Sequence, residues 1–180
     1  MRAVQAARGT ALNRALVLIA SGLWLLGLSV DQLTKLAALA YLEPGVPGAW
    51  VLGALRLQLI FNPGAAFGMG ESATVVFSLF AIAATAVCIF VGLPRITRGW
   101  HALTLGLMLA GITGNLVDRI VRPPSVLHGH VVDFIQLRGF AIFNVADICI
   151  TAAAALLIVM SVVGEERRTE KAGEAEGNRA

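Results

Sequence analysis

Charge is scarce in this sequence. Asp, Glu, Lys and Arg make up 14% of its 180 residues, against 57% hydrophobic residues, where a soluble domain carries about 25% charge. The shortage is uneven. Long stretches have no charge at all, and the charged residues cluster between them, so a soluble globular domain is excluded. Cysteine is nearly absent. Cys88 and Cys149 lie far apart in apolar runs, which leaves no disulfide framework and no CxxC metal site and reads as two buried, inert thiols. There is no internal repeat, no GxSxG, no Ser–His pairing within the helices and no GxGD. A net charge of +3 would raise nucleic acid as a partner in a soluble chain. Here the excess Arg reports orientation in a bilayer instead, and no nucleic-acid partner is expected.

What is present is a set of apolar runs of membrane-spanning length, ~20 residues each. The pattern predicts an all-α membrane protein of four transmembrane helices, at about residues 15–41, 73–93, 100–120 and 143–163. They fall inside one transmembrane domain spanning 15–163, between a short amino-terminal segment (1–14) and a polar tail (164–180) expected to be disordered. Glu43, Pro44 and Gly45 end the first helix, Pro94 the second, Pro123–Pro124 the third and Gly164 the fourth. The first run follows Arg2, Arg8 and Arg14 without a small-x-small cleavage site, so it reads as a retained anchor. Two connections are long, 42–72 and 121–142. In the first, Leu55, Leu57 and Leu59 alternate with Arg56 and Gln58, the pattern of a half-buried strand.

Lys and Arg orient the bundle. Nine of the fourteen fall in the amino terminus, the short second connection and the tail. That side is expected to be cytoplasmic, with both termini inside and both long connections outside. Helix parity then gathers all four aspartates at one end. Asp31 and Asp118 sit near the outer ends of helices 1 and 3, Asp147 near the outer start of helix 4, and Asp133 in the second outer connection. Four scattered solubilising charges would show no such preference, and ionisable groups at membrane depth usually face the bundle interior and serve function.

The four differ in their neighbours. Asp31 has Lys35 one turn on, and Asp118 stands beside Arg119 and one turn before Arg122, so both read as structural ion pairs. Asp133 is flanked by Val131, Val132, Phe134 and Ile135 with no adjoining cation, and Asp147 has apolar neighbours with Asn144 one turn before. Two carboxylates in such surroundings can share one proton, which is what an aspartic protease requires. His128 and His130, with Asp133, invite a metal reading. A solvated loop is the plainer one, because a metal site needs three or four placed ligands. No metal and no cofactor are expected.

Five motifs then fall in order. DQLTK at 31–35, FNPGAAFG at 61–68, GNLVDR at 114–119, VVDF at 131–134 and FNVAD at 143–147 resemble those of the signal peptidase II (lipoprotein signal peptidase) family, over about residues 15–163. The resemblance implies a catalytic dyad of Asp133 and Asp147, the pair singled out above. It also implies that Asn62, Gly64, Asn115, Arg119 and Asn144 bind substrate or shape the site, with Asp31, Lys35 and Asp118 in support. It implies a small extracytoplasmic β-cradle formed by the 42–72 segment and a location in the bacterial inner membrane. The implied partners are diacylglyceryl-modified prolipoproteins, cleaved before the lipidated cysteine, and the surrounding membrane phospholipid. The enzyme is expected to be a monomer. The small Gly64-Ala65-Ala66 run would allow close backbone approach.

Two other classes compete. An ion-coupled transporter would suit intramembrane carboxylates, yet it needs polar groups at mid-bilayer or broken helices, and helices 2, 3 and 4 are apolar from mid-depth inward. A non-catalytic assembly subunit would leave the gathering of the aspartates unexplained.

Overall fold

The computed structural model describes residues 2–64 and 72–177, with side chains placed over 13–64 and 74–163. Among these residues the elements run α1 (Arg2–Tyr41), β1 (Leu55–Asn62), α2 (Ser72–Val87), α3 (Gly99–Val121), β2 (Val131–Leu137), β3 (Ile142–Phe143) and α4 (Val145–Gly177). Four helical stretches are long and apolar enough to cross a membrane: Asn13–Tyr41, Thr74–Arg95, Gly99–Val121 and Val145–Val163. The expected fold class therefore stands: a four-helix membrane protein carrying a small sheet.

The helices outrun the apolar windows that announced them. α1 begins at Arg2 rather than near Ala15, and α4 passes Gly164 and remains helical to Gly177, so the segment expected to be disordered from residue 164 is helical over most of its length. The physical reason is propensity. Arg, Glu, Lys and Ala dominate both extensions and are good helix formers, and one interior Gly costs only ~1 kcal/mol. Polarity marks where lipid ends, not where a helix ends. α2 ends differently. From Cys88 to Gly92 it widens into a π turn, then tightens into a 3₁₀ turn at Leu93–Arg95. Pro94, which has no N–H to donate, brings the helix to its stop.

α3 is the central helix, packed on α1 and α4. Small residues set these distances, since lipid supplies no hydrophobic drive and tight packing must hold helices together. A Cβ at Gly106 would come within 2.8 Å of the Ala20 carbonyl on α1, and one at Gly111 within 2.5 Å of the Ala146 carbonyl on α4.

The three strands form one antiparallel sheet in the order β1-β2-β3, with Asn62 opposite Val131, Ile60 opposite Asp133, and Ile135 opposite Phe143. The expected strand at Leu55 is present, but its leucines do not share a buried face. A bulge between Leu57 and Ile60 shifts the register. Leu59 is 1% exposed and enters a core with Ala38, Val132 and Phe134, while Leu55 and Leu57 are 38% and 44% exposed. Arg56 takes the more covered side, its guanidinium carbon 4.5 Å from the Trp50 ring centroid and its Nε donating to Gln136 Oε1 at 2.6 Å. β2 was legible only as an apolar stretch. Val131 to Phe134 are all buried, and a strand covered on both faces shows no alternation. Phe143, expected to open the fourth helix, closes β3 instead, and Asn144 caps α4.

Candidate active site

At the aspartate end α1, α3 and α4 close around a buried charge cluster. Asp31, Lys35 and Asp118 are all 0% exposed. Lys35 Nζ lies 2.9 Å from Asp31 Oδ2 and 2.8 Å from Asp118 Oδ2, and Arg122 Nε lies 2.6 Å from Asp118 Oδ1. The sequence suggested Arg119 and Arg122 as partners of Asp118. Among the described ion pairs Arg122 is one, because i+4 spacing puts it over Asp118, while the bundle brings Lys35 across from α1 in place of Arg119. Each carboxylate also holds backbone. Asp31 Oδ1 accepts the Ala146 N–H at 2.8 Å, satisfying a first-turn amide of α4 that has no partner within the helix. Asp118 Oδ2 accepts the Val132 N–H at 3.2 Å, fastening β2 to α3. Gly114 makes the contact possible, since a Cβ there would sit 2.6 Å from Asp31 Oδ2.

Above this cluster lie Asp133 on β2 and Asp147 in the first turn of α4, linked through amides. Asn144 and Asp147 form a reciprocal cap: Asp147 N–H donates to Asn144 Oδ1 at 3.1 Å, and Asn144 N–H to Asp147 Oδ2 at 3.2 Å. Asn144 Nδ2 reaches Asp133 Oδ1 at 2.6 Å and Asn115 Oδ1 at 3.1 Å. Lys35 Nζ also donates to Asn115 Oδ1, at 2.9 Å, so that oxygen is occupied as an acceptor and Nδ2 of Asn115 turns to Asp147 Oδ1 at 2.8 Å. On the far side Asn62 Nδ2 donates to Asp133 Oδ2 at 2.9 Å, its own Oδ1 held by the Gly64 N–H. A continuous chain of side chains therefore runs Asn62–Asp133–Asn144–Asn115–Asp147. Among the described residues neither Asp133 nor Asp147 makes an ion pair.

Asp133 and Asp147 line one cavity of about 220 Å³ together with Asn62, Gly64, Phe77, Asn115, Arg119 and Val131. Arg119 turns away from Asp118 toward this cavity. Its buried Nη1 has no hydrogen-bond partner among the described residues, and its guanidinium carbon lies 5.8 Å from the Phe77 ring centroid. Gly64 lies against it at φ +97°, and a Cβ would meet Arg119 Nη2 at 3.2 Å and Phe77 at 3.1 Å. Any larger residue would be strained there and would crowd the guanidinium. Burial pushes the Asp133 carboxyl up to about 6, with Asp147 adding to the rise, while the amides of Asn62 and Asn144 and the charge of Lys35 pull it back.

The structure thus brings Asn62, Gly64, Asn115, Arg119, Asp133, Asn144 and Asp147 to one place, and sets Asp31, Lys35 and Asp118 beneath them. Residues 65–68 of the FNPGAAFG motif lie outside the described residues. His128 is exposed, its Nδ1 3.1 Å from the Val126 carbonyl. No group of three His, Cys, Asp or Glu suited to a metal occurs among the described residues. Sequence reasoning missed Phe77 and Gln32. Gln32 Nε2 donates both to Asp31 Oδ2 and to the Gly114 carbonyl, each at 3.0 Å. An amide beside an Asp on α1 was a visible signal for the second. A phenylalanine in an apolar helix gave none for the first.

A membrane bundle with a small sheet and a cavity of carboxylates, amides and one arginine is the frame of a membrane-embedded peptidase, and comparison with known proteins agrees. The family model described as signal peptidase (SPase) II matches residues 23–163. The chain is 44% identical over 144 residues to the lipoprotein signal peptidase of Rhodococcus jostii, covering 77% of this chain and 70% of that one. With the lipoprotein signal peptidase of Mycobacterium tuberculosis H37Rv it shares 38% over 150 residues, covering 83% and 74%. A bacterial membrane enzyme solved at 1.9 Å is similar with a TM-score of 0.67 at 26% identity, over 81% of this chain and 90% of that one. A second, at TM-score 0.71 and 24% identity over 85% and 90%, shares the fold. The chain belongs to the signal peptidase II family, the peptidases that remove signal peptides from prolipoproteins.

Proposed function

We propose that the chain is an aspartic endopeptidase that cuts diacylglyceryl-modified prolipoproteins just before the lipidated cysteine, with Asp133 and Asp147 as its dyad. The observation that carries this reading is the amide chain. Two carboxylates line one cavity, tied together by Asn144 and Asn115 and paired with no cation among the described residues. Amide N–H groups favour the anion less than a cation would, and burial of Asp133 outweighs them, so a proton can remain on the pair.

In the proposed reaction the ionised member takes a proton from water as the water oxygen attacks the scissile carbonyl carbon. The protonated member gives its proton to the carbonyl oxygen. The tetrahedral intermediate then collapses. The C–N bond breaks as one dyad proton passes to the departing amine of the cysteine and a hydroxyl proton of the intermediate returns to the ionised carboxylate, which leaves a carboxylic acid and restores the singly protonated pair. Arg119, with Nη1 unpartnered at the cavity wall, is suited to hold a substrate carbonyl. Substrate closing over the site excludes water and raises the Asp133 carboxyl further, keeping its proton in place near neutrality. Asp147 also borders an apolar cavity of about 410 Å³ lined by Leu137, Phe140, Phe143, Ile148 and Ala155, and the apolar part of the substrate would lie there.

The Lys and Arg distribution supports an orientation with both termini cytoplasmic and the dyad near the extracytoplasmic face. A lipidated substrate in the outer leaflet would then present its scissile bond to the dyad while its acyl chains stay in lipid. The deciding experiment is turnover of a lipidated prolipoprotein by purified Asp133→Asn and Asp147→Asn protein in detergent. Each is expected to be inactive while remaining folded. Substantial cleavage by either would overturn the dyad.

A further inference from the structure

We propose that a further cavity, at the end of the bundle opposite the aspartates, binds an anionic glycerophospholipid. The cavity measures about 340 Å³ and lies where the π turn after α2, the start of α3 and the middle of α4 meet, with Leu105 and Leu157 among its apolar walls and Arg95, Trp100, His101 and Thr104 among its polar ones.

Its polar groups are unspent. Thr104 is 5% exposed, yet its Oγ1 has no partner among the described residues, and neither has the buried Nε1 of Trp100. Several other hydroxyls in the helices return to the carbonyl one turn back, as Thr85 does to Ala81 and Thr113 to Leu109. Thr104 does not. An unsatisfied buried donor costs ~1–3 kcal/mol, and the ordinary remedy is a partner that the described residues do not supply. The groups are also alike in kind. The indole N–H can only donate, and a hydroxyl can. The Thr97 N–H donates to His101 Nδ1 at 3.3 Å, which leaves the proton of the neutral ring on Nε2. Arg95 is exposed and donates through Nη1 to the Val91 carbonyl at 2.9 Å, and a guanidinium carries four further N–H bonds.

A ligand matched to these walls presents acceptors, a negative charge and an aliphatic chain. The phosphate and ester oxygens of an anionic glycerophospholipid meet the first two requirements, with the phosphate at Arg95 and an ester carbonyl at Trp100 and Thr104. One acyl chain meets the third along Leu105 and Leu157. Arg98, exposed at the head of α3, adds positive charge at the same level. A free phosphate would leave the apolar walls wet. Gly92 belongs to the design, since a Cβ there would meet Leu105 at 2.9 Å and drive that side chain toward the cavity. The π turn that carries Gly92 is a distortion often found at functional sites. The inference is independent of the catalytic reading, because it concerns residues at the other end of the bundle.

The test uses the full-length chain, delipidated in maltoside micelles, with binding followed by native mass spectrometry and by the thermal midpoint. Dioleoyl-phosphatidylglycerol is compared with dioleoyl-phosphatidylcholine and with glycerol 3-phosphate. Phosphatidylglycerol is expected to be retained and to raise the midpoint. Phosphatidylcholine should do so less, and glycerol 3-phosphate not at all. Arg95→Gln and Thr104→Val should each weaken phosphatidylglycerol binding, Arg95→Gln by about tenfold or more, the size of a lost charge-assisted hydrogen bond, with the lipid-free midpoint of Arg95→Gln unchanged because that side chain is exposed. Equal effects of the two phospholipids, or Arg95→Gln protein that binds phosphatidylglycerol as wild type does, would overturn the proposal. A midpoint shift by glycerol 3-phosphate alone would replace the lipid with a soluble phosphate.

Discussion

The aspartates form two layers, and the layers differ in what faces them. In the lower one Asp31 and Asp118 meet cations, with Lys35 between them at 2.9 and 2.8 Å and Arg122 at 2.6 Å. In the upper one Asp133 and Asp147 meet Asn62, Asn115 and Asn144, which carry no charge. One residue type thus serves two ends. A carboxylate clamped by Lys or Arg is held in one place, useful for fixing backbone such as the Ala146 and Val132 amides. A carboxylate held by amides keeps its orientation and its freedom to take a proton. Burial does not separate the layers, for Asp133 is 1% exposed and Asp31 and Asp118 are 0% exposed. The partner decides.

The sharpest way to break this comparison is to neutralise each layer in turn. Asp133→Asn and Asp147→Asn should each lower turnover per folded molecule by at least ~10²–10⁴-fold, the range of one general acid–base group. The double mutant should be hardly worse than either single one, because groups that share a proton act as a unit. Stability should change little by comparison. Multiplicative losses in the double mutant would show two independent carboxylates.

The lower layer should fail in the opposite way. Asp118→Asn strands Lys35 and Arg122 beside a neutral group, and removing one partner of a buried pair costs ~3–5 kcal/mol. The expected outcome is a low folded yield and a lowered thermal midpoint, with near-normal turnover by the fraction that folds. Arg122→Gln, at a side chain 15% exposed, should cost less. A stable, fully folded Asp118→Asn protein without activity would place Asp118 in the chemistry and merge the two layers.

A gentler probe is pH. The Asp133 carboxyl is raised from 3.8 to about 6 in the folded protein, so folding favours its protonated form. That contribution to stability is fully present below about 4, fades as pH rises to about 6, and is constant above. Asp133→Asn should flatten the midpoint–pH curve in that window. In the proposed mechanism kcat/KM of the wild type should fall as pH rises through about 6 and the Asp133 proton is lost. A kcat/KM that instead rises through this range would mean that the doubly ionised pair is the working form.

Much of this was legible in the sequence, and the limits have physical causes. The four spans follow from apolar run length. The gathering of the aspartates follows from helix parity, which needs no side-chain detail. Of the two cations the sequence sets near Asp118, Arg122 pairs with it, whereas helical geometry points Arg119 into the cavity and the bundle delivers Lys35 from 83 positions away. β2 escaped because a strand buried on both faces looks like any short apolar stretch. Phe77 escaped because nothing in an apolar helix distinguishes the one aromatic ring that a guanidinium will face.

The smallest effect is expected from the far end of the chain. α4 continues as a helix to Gly177, and a helix joined end to end with the one bearing Asp147 could be thought to brace it. The geometry argues otherwise. Asp147 is fixed within the first turn of α4 by Asn144 and Asn115, and the Ala146 N–H of that turn by Asp31. From there to Gly164 the helix rises ~26 Å at 1.5 Å per residue, a distance over which a frayed last turn transmits no strain. The segment after Gly164 is polar and has no apolar stripe to bury, and termini of this kind tolerate truncation. Deleting residues 165–180 should leave turnover within about twofold of the full chain and the thermal midpoint nearly unchanged, measured on protein purified in the same detergent. A truncate that folds with a normal midpoint but loses turnover would make the α4 extension part of the functional machinery. The contrast would then lie between the two ends of α4 as well as between the two layers of carboxylates.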